Sequence, residues 1–295
     1  MQAVAAWLVA RPLNSALALA ATISLAYLSF LSGVIMVLLV LRKGPKAALV
    51  DAAIAGGLLA AIGLVQQAPL VAVLSAATIM WLPAMLLGVL LISTRSLTLT
   101  LQVSVIVAVS AIIGFYLVAG DLADFWRVIL LEFVEVSRQL GMTEQAELLE
   151  GQIDAVASQM TTIAALSIWV VQSINCILGY LLYRELPGET VDCGRFSDLS
   201  FGRVIASVMA IASIAAVFSD GILIQNIAFV LFLVFWLQGL AVVHWMHGAG
   251  KLPVFAVIAV YVLMPFLNII LLMALAVVGY IDTWFRLRRP RATVS

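Results

Sequence analysis

Residues 69–93 read "PLVAVLSAATIMWLPAMLLGVLLIS", an apolar stretch without one charged side chain. A helix needs about 20 such residues to cross the hydrocarbon core of a bilayer. Similar runs occupy 13–41, 45–65, 97–119, 156–183, 202–219, 222–246 and 253–283. Together they predict an all-α, polytopic transmembrane helical bundle of about eight spans, a single membrane domain over 1–295. A membrane β-barrel would instead alternate polar and apolar residues in short segments.

Composition agrees. Of 295 residues, 65% are hydrophobic and only 10% charged, with a mean hydropathy of +1.20. Soluble domains carry about 25% charged residues. The 15 basic and 15 acidic residues balance, so there is no basic surplus to bind nucleic acid; the first expected partner is the lipid bilayer. Cys176 falls in an apolar run and Cys193 in a polar loop, which suggests neither a disulfide framework nor a zinc site. The start, "MQAVAAWLVARPLN", has no basic residue ahead of its apolar stretch and reads as a retained segment.

Basic loops set the expected orientation. Arg42, Lys43 and Lys46, then Arg95, then the 184–203 loop with Arg184, Arg195 and Arg203 mark cytoplasmic turns. Lys251 follows on the same side. Alternation would then carry the basic 286–295 tail outside, against the charge rule. Either the last run turns back at Pro265, where a helix hydrogen bond is lost, or one span is miscounted. The arginines place the C-terminus in the cytoplasm. Segment 121–154 carries eight acids and two arginines. Phe125, Ile129, Leu130 and Phe133 recur at helical spacing, so an extracytoplasmic amphipathic helix is expected, then a turn at Gly141 and a second helix capped by Thr143.

Polar side chains within spans are costly and mark candidate sites. Gln172, Asn175, Gln225, Asn226, Gln238, His244 and Asn268 could line one ligand pocket between helices, or serve singly as interhelical bonds. His244 and His247 share a helix face but have no evident third ligand, so no metal or other cofactor is expected. Asp51 can pair with Lys46. Asp282 lies four residues before Arg286, the favourable order for a helical ion pair. With Trp284 at headgroup level, that pair would fix the depth of the last helix; Arg184 would similarly anchor the start of its loop. No nucleophile–base motif, P-loop or aspartate pair is present, so the chain is not expected to be an enzyme.

The words "FLVFWLQGLAVVHWMHGAGKLP" (232–253) and "LMALAVVGYIDTWFRLRR" (272–289) resemble the YybS-like bacterial inner-membrane proteins, a family of unknown function. The turn "LRKGP" (41–45) and the loop "YRELPGETVDCGRFSDLSF" (183–201) fit too, although Glu185–Leu186 replaces the aromatic–Gln pair of that family's loop. The first half is similar in pattern to the S-components of energy-coupling-factor transporters and to the rod-shape protein MreD. This resemblance implies a multi-pass protein of the bacterial inner membrane that binds or helps transport a small molecule, with an unidentified membrane partner. The alternative is a non-enzymatic scaffold in a cell-envelope assembly complex. In S-components the coupling contact uses small residues of the first helix, a spacing offered here by Ala16 and Ala20, or by Ala18, Thr22 and Ala26.

Overall fold

The computed structural model describes residues 2–67, 69–188, 190–219 and 221–288, leaving aside the side chains of Ala26 and Asn268. It is an all-α polytopic helical bundle, and the described residues contain no strand. The chain forms two compact units, Met1–Leu101 with Trp169–Phe196, and Gln102–Ile168 with Ser197–Ser295.

The first unit holds α1 (Gln2–Ala10), α2 (Pro12–Ser24), α3 (Ser29–Lys43), α4 (Pro45–Val65) and α5 (Leu70–Thr94). It also takes the start of α6 (Leu97–Ala119) and the second half of α9 (Ile153–Arg184). Arg11 precedes a proline and is extended, at φ −141° and ψ 146°. Proline's ring disfavours helical backbone in the residue before it, and α1 and α2 consequently meet at 112°. The 13–41 run is not one helix: it breaks after Ser24 into a short 3₁₀ turn, Ala26–Leu28, and α3. At ~1.5 Å per residue α2 and α3 are only about 20 and 22 Å long. They pack together, the Ser32 hydroxyl donating to the Leu19 carbonyl at 3.1 Å and the Lys43 ammonium to the Ser15 hydroxyl at 2.8 Å. Gly44, at φ +84°, ends α3, and Pro45 starts α4, the usual order of helix stop and start signals.

α3 is the core of this unit: Val34 through Val40 are all at most 6% exposed. Two glycines admit it. A Cβ on Gly88 of α5 would stand 2.9 Å from Val40, and one on Gly179 of α9 would stand 2.9 Å from the Val34 carbonyl oxygen. Small residues let helices approach where lipid offers no hydrophobic driving force between them.

The second unit holds most of α6, α7 (Leu122–Gln139), α8 (Thr143–Glu150), the first half of α9, α10 (Gly202–Val217), α11 (Ile222–Gly248) and α12 (Val254–Phe285). The amphipathic reading of 121–154 is realised as α7 and α8, with Gly141 at φ +81° between them. Asp121 caps α7, accepting from the Ala123 and Asp124 amides. Thr143 does not cap α8: Met142 takes that place, without a side-chain bond. Trp126 donates to Thr161 at 2.8 Å and Arg127 to Asp154 at 2.9 Å, so α7 is fastened to the start of α9.

α11 and α12 touch backbone to backbone. A Cβ on Gly239 would lie 2.0 Å from the Leu275 carbonyl oxygen, and one on Gly279 would lie 2.1 Å from that of Phe235. α12 is bent. Straight, it would separate Val254 from Asp282 by ~42 Å. Yet the chain entering α12 is held to the end of α11 where His247 meets the Leu252 carbonyl at 3.0 Å. Asp282 is bonded to Gln238, only nine residues, about 14 Å, back along α11. Pro265 lies inside α12 and supplies the kink.

Among the described residues, α4, α5, α6, α9 and α11 are long and apolar enough to cross a membrane, and a sixth span results if the bent α1–α2 pair counts as one. The other expected runs give the broken α2–α3 segment, the 16-residue α10 and the bent α12.

Candidate functional site

The basic end of α12 builds the most developed site. α12 stops at Phe285, and Arg286 takes the left-handed conformation, φ +50°, its amide donating to the Asp282 carbonyl at 2.9 Å. That turn removes the Arg286 side chain from the Asp282 face, so the expected pair does not form. Arg288 forms it instead. Its Nη2 and Nε donate to Asp282 Oδ2 at 2.6 and 3.1 Å, while Nη1 donates to the Ser197 carbonyl at 2.7 Å.

Gln238 joins the node from α11. Its Nε2 donates to Asp282 Oδ2 at 2.8 Å and to Thr283 Oγ1 at 3.1 Å, and its Oε1 accepts the Phe201 amide at 2.8 Å. One amide thus ties α11, the end of α12 and the start of α10. Phe201, Phe235 and Tyr280 pack edge to face beneath it. Asp282 is 4% exposed, and its Oδ1 has no hydrogen-bond partner among the described residues.

Above this node opens a cleft of about 760 Å³. Arg203, Arg286 and Arg288 give its positive wall, Asp198 and Asp282 its acids. Ser200, Gly202, Thr283 and Trp245 complete the lining. Arg203 and Arg286 are exposed and have no ion-pair partner among the described residues. Sequence reasoning reached Gln238, Asp282 and Arg286 but missed Arg203, Thr283, Trp245 and Arg288 as members of the site. Arg203 and Arg288 were legible only as orientation signals.

The other polar candidates bond to different partners. Gln172 Nε2 donates to the Met80 carbonyl at 3.2 Å, and Asn175 Nδ2 to Gln172 Oε1 at 3.4 Å. Asn175 packs on Gly33, and its Oδ1 and the nearby Ser173 hydroxyl are buried without partners among the described residues. Asn226 accepts from Thr162. Gln225 is exposed and reaches the Ser219 carbonyl at 3.4 Å. His244 faces the Tyr261 hydroxyl at 2.8 Å. The side chain of Asn268, and the tail beyond Arg288, lie outside the described residues. No three His, Cys, Asp or Glu residues among those described could hold a metal ion.

Asp51 pairs with Lys43 at 2.8 Å, not with Lys46, and both side chains are largely covered. Ala16 and Ala20 are buried within the first unit. Trp284 is exposed and meets Tyr280 edge to face, ring centres 6.2 Å apart. Arg184 lies 5.9 Å from the Tyr180 ring. The Tyr180 hydroxyl accepts the Cys193 amide at 2.7 Å and donates to Asp192 at 3.1 Å. The Gly194 amide at 3.0 Å and that hydroxyl hold the Asp192 carboxyl below its usual range, helped by Arg184 and Arg195.

A family model described as "Predicted membrane protein (DUF2232)" matches residues 15–283. No curated protein and no solved structure matches the chain.

Proposed function

The chain belongs to the DUF2232 family of membrane proteins, and from that premise we propose that it is a non-enzymatic protein of the bacterial inner membrane that binds a small molecule in the Asp282 cleft and helps transport it. One observation carries this reading: Arg203 and Arg286, without an ion-pair partner among the described residues, line a cleft together with the buried carboxylate of Asp282. A ligand able to donate to the Asp282 carboxylate and accept from the arginines complements this lining. The charge rule places this end of the protein at the cytoplasmic surface.

The test is ligand-dependent thermal stabilisation of the purified full chain, screened with small-molecule pools. Stabilisation that Arg203→Gln removes supports the reading. Stabilisation that Arg203→Gln leaves intact places the ligand elsewhere.

A second reading, a scaffold in an envelope-assembly complex, draws on α7. Phe125, Ile129, Phe133, Val136 and Leu140 form one exposed apolar stripe there, suited to a partner helix or the lipid surface. Recovery of stable protein partners that Phe133→Ser releases, with no ligand effect, favours this reading.

A further inference from the structure

We infer that the Asp282 cleft recognises a phosphate ester whose alcohol part carries a hydrogen-bond donor, a hydroxyl or an ammonium. This inference rests on the small-molecule reading above and names its ligand class.

The lining carries three arginines against two aspartates, an excess of one positive charge. Asp282 and Arg288 neutralise each other at 2.6 Å. Asp198 is exposed, and among the described residues its carboxylate meets only the Ser197 hydroxyl, at 3.5 Å. Arg203 and Arg286 are left as guanidinium groups facing a cleft, and a guanidinium fork matches phosphate oxygens bidentately. A phosphate diester, with one negative charge, balances the lining.

A phosphate alone is not enough. It only accepts at neutral pH, so it would offer nothing to the Asp282 carboxylate of the lining and would bring a second negative charge beside it. A ligand with a donor close to its phosphate satisfies both needs at once. Arg288 favours the same arrangement, because its bonds to Asp282 and to the Ser197 carbonyl fix the carboxylate beside the cleft. A metal cation is disfavoured by the three arginines, and a simple carboxylate, like phosphate alone, offers no donor to Asp282. The volume, about 760 Å³, falls in the range of small-molecule pockets. Trp245 in the wall and the apolar faces of α11 and α12 below suit a ligand presented at the bilayer surface. Two sources supply this chemistry: a phospholipid headgroup, or a soluble phosphate ester.

The experiment is native mass spectrometry of the detergent-solubilised full chain with short-chain phosphatidylglycerol, phosphatidylethanolamine and phosphatidylcholine, and with glycerol 3-phosphate and phosphoethanolamine. Phosphatidylcholine lacks a donor. The expected result is retention of the glycerol or ethanolamine forms on the order of tenfold above the choline form, with Arg203→Gln and Arg286→Gln each lowering it by a similar factor. Both arginines are exposed, so these variants keep the fold. Binding of the soluble esters as well assigns a soluble ligand, whereas binding of the lipids alone assigns a headgroup. Equal retention of the choline form, or retention unaffected by both substitutions, overturns the inference. A non-phosphate compound that stabilises the protein in an Arg203-dependent way would overturn the ligand class and leave the small-molecule reading standing. No binding by any probe and no stabilisation by any pool would remove both.

Discussion

Arg288, six residues beyond Asp282, closes on its carboxylate at 2.6 Å, while Arg286, four residues beyond, does not. The difference is one left-handed residue. Had the helix continued, Arg286 would sit over Asp282. Because Arg286 itself ends the helix at φ +50°, the chain turns and the second arginine returns to the acid. The pair is nearly buried, with side chains 11% and 3% exposed. Removing one partner from a buried pair leaves an uncompensated charge, typically at about 3–5 kcal/mol. Arg288→Gln should therefore lower the unfolding midpoint in detergent strongly. Arg286→Gln, on an exposed side chain, should stay within about 0.5 kcal/mol. Equal losses from the two variants would restore the four-residue pairing.

The meeting of α11 and α12 predicts a second pattern. Gly279→Ala drives a methyl into the Phe235 carbonyl, and Gly239→Ala into that of Leu275. Backbone must move, and overpacking of this kind costs about 1–3 kcal/mol or more. Gln238 and Asp282 sit on the two helices being pushed apart, so both variants should also weaken ligand retention at the cleft. Gly57→Ala, exposed in α4 with nothing within 4 Å of its added carbon, should be neutral or stabilise by up to about 1 kcal/mol from helix propensity. Thermal midpoints of the three variants, compared in one detergent, decide this.

What the sequence made legible follows from which signals are local. The long spans rest on length and apolarity, so α4, α5, α6, α9 and α11 could be read directly. The break after Ser24 had no local marker: Leu25 and Ala26 are ordinary in a helix. The node at Asp282 was partly hidden for the same reason. Gln238 is 44 residues away, and the partner choice between Arg286 and Arg288 depends on where α12 ends. The polar residues of the spans were visible, but their grouping was not, because hydropathy says nothing of which helix faces which. Asn226 found Thr162, and Gln172 found Met80, each a local solution to burying an amide.

Lys43 and Asp51 make a third test. Lys43 bridges Asp51 and the Ser15 hydroxyl, each at 2.8 Å, where α2, α3 and α4 meet. Asp51 is 2% exposed. Lys43→Gln should destabilise by several kcal/mol, since a buried carboxylate would lose its only cation among the described residues. Lys46→Gln should change little. Circular-dichroism melts in micelles distinguish them, and an equal effect would return Asp51 to Lys46.

Orientation is testable by labelling. Glu147 of α8 and Glu185 of the loop after α9 are both exposed, and the two native cysteines are buried. With basic turns inside, an impermeant maleimide applied to intact cells should modify Glu147→Cys and spare Glu185→Cys until the membrane is opened. The reverse pattern would place the Asp282 cleft outside and exclude a cytoplasmic ligand.

Asp192 gives a pH test in the loop that leads toward α10. Its carboxylate accepts from the Gly194 amide and the Tyr180 hydroxyl, and its carboxyl is held below the usual range, first by that amide and then by that hydroxyl. The folded value is thus lower than the unfolded one, near 3.9. By linkage, the contribution to stability is fully present above the unfolded value and is lost as pH falls through the folded one. Tyr180 also accepts the Cys193 amide, and the Cys193 carbonyl accepts the Leu97 amide at 2.7 Å, so the carboxylate orders a chain of bonds that reaches α6. Asp192→Asn should lower stability near neutral pH, and its difference from the native protein should shrink as pH drops below about 4. Tyr180→Phe should remove part of the same dependence and loosen the loop, read as faster proteolysis between Arg184 and Arg203. If Asp192→Asn follows the native protein at every pH while Tyr180→Phe alone loosens the loop, the tyrosine–amide bonds hold the loop and the carboxylate does not.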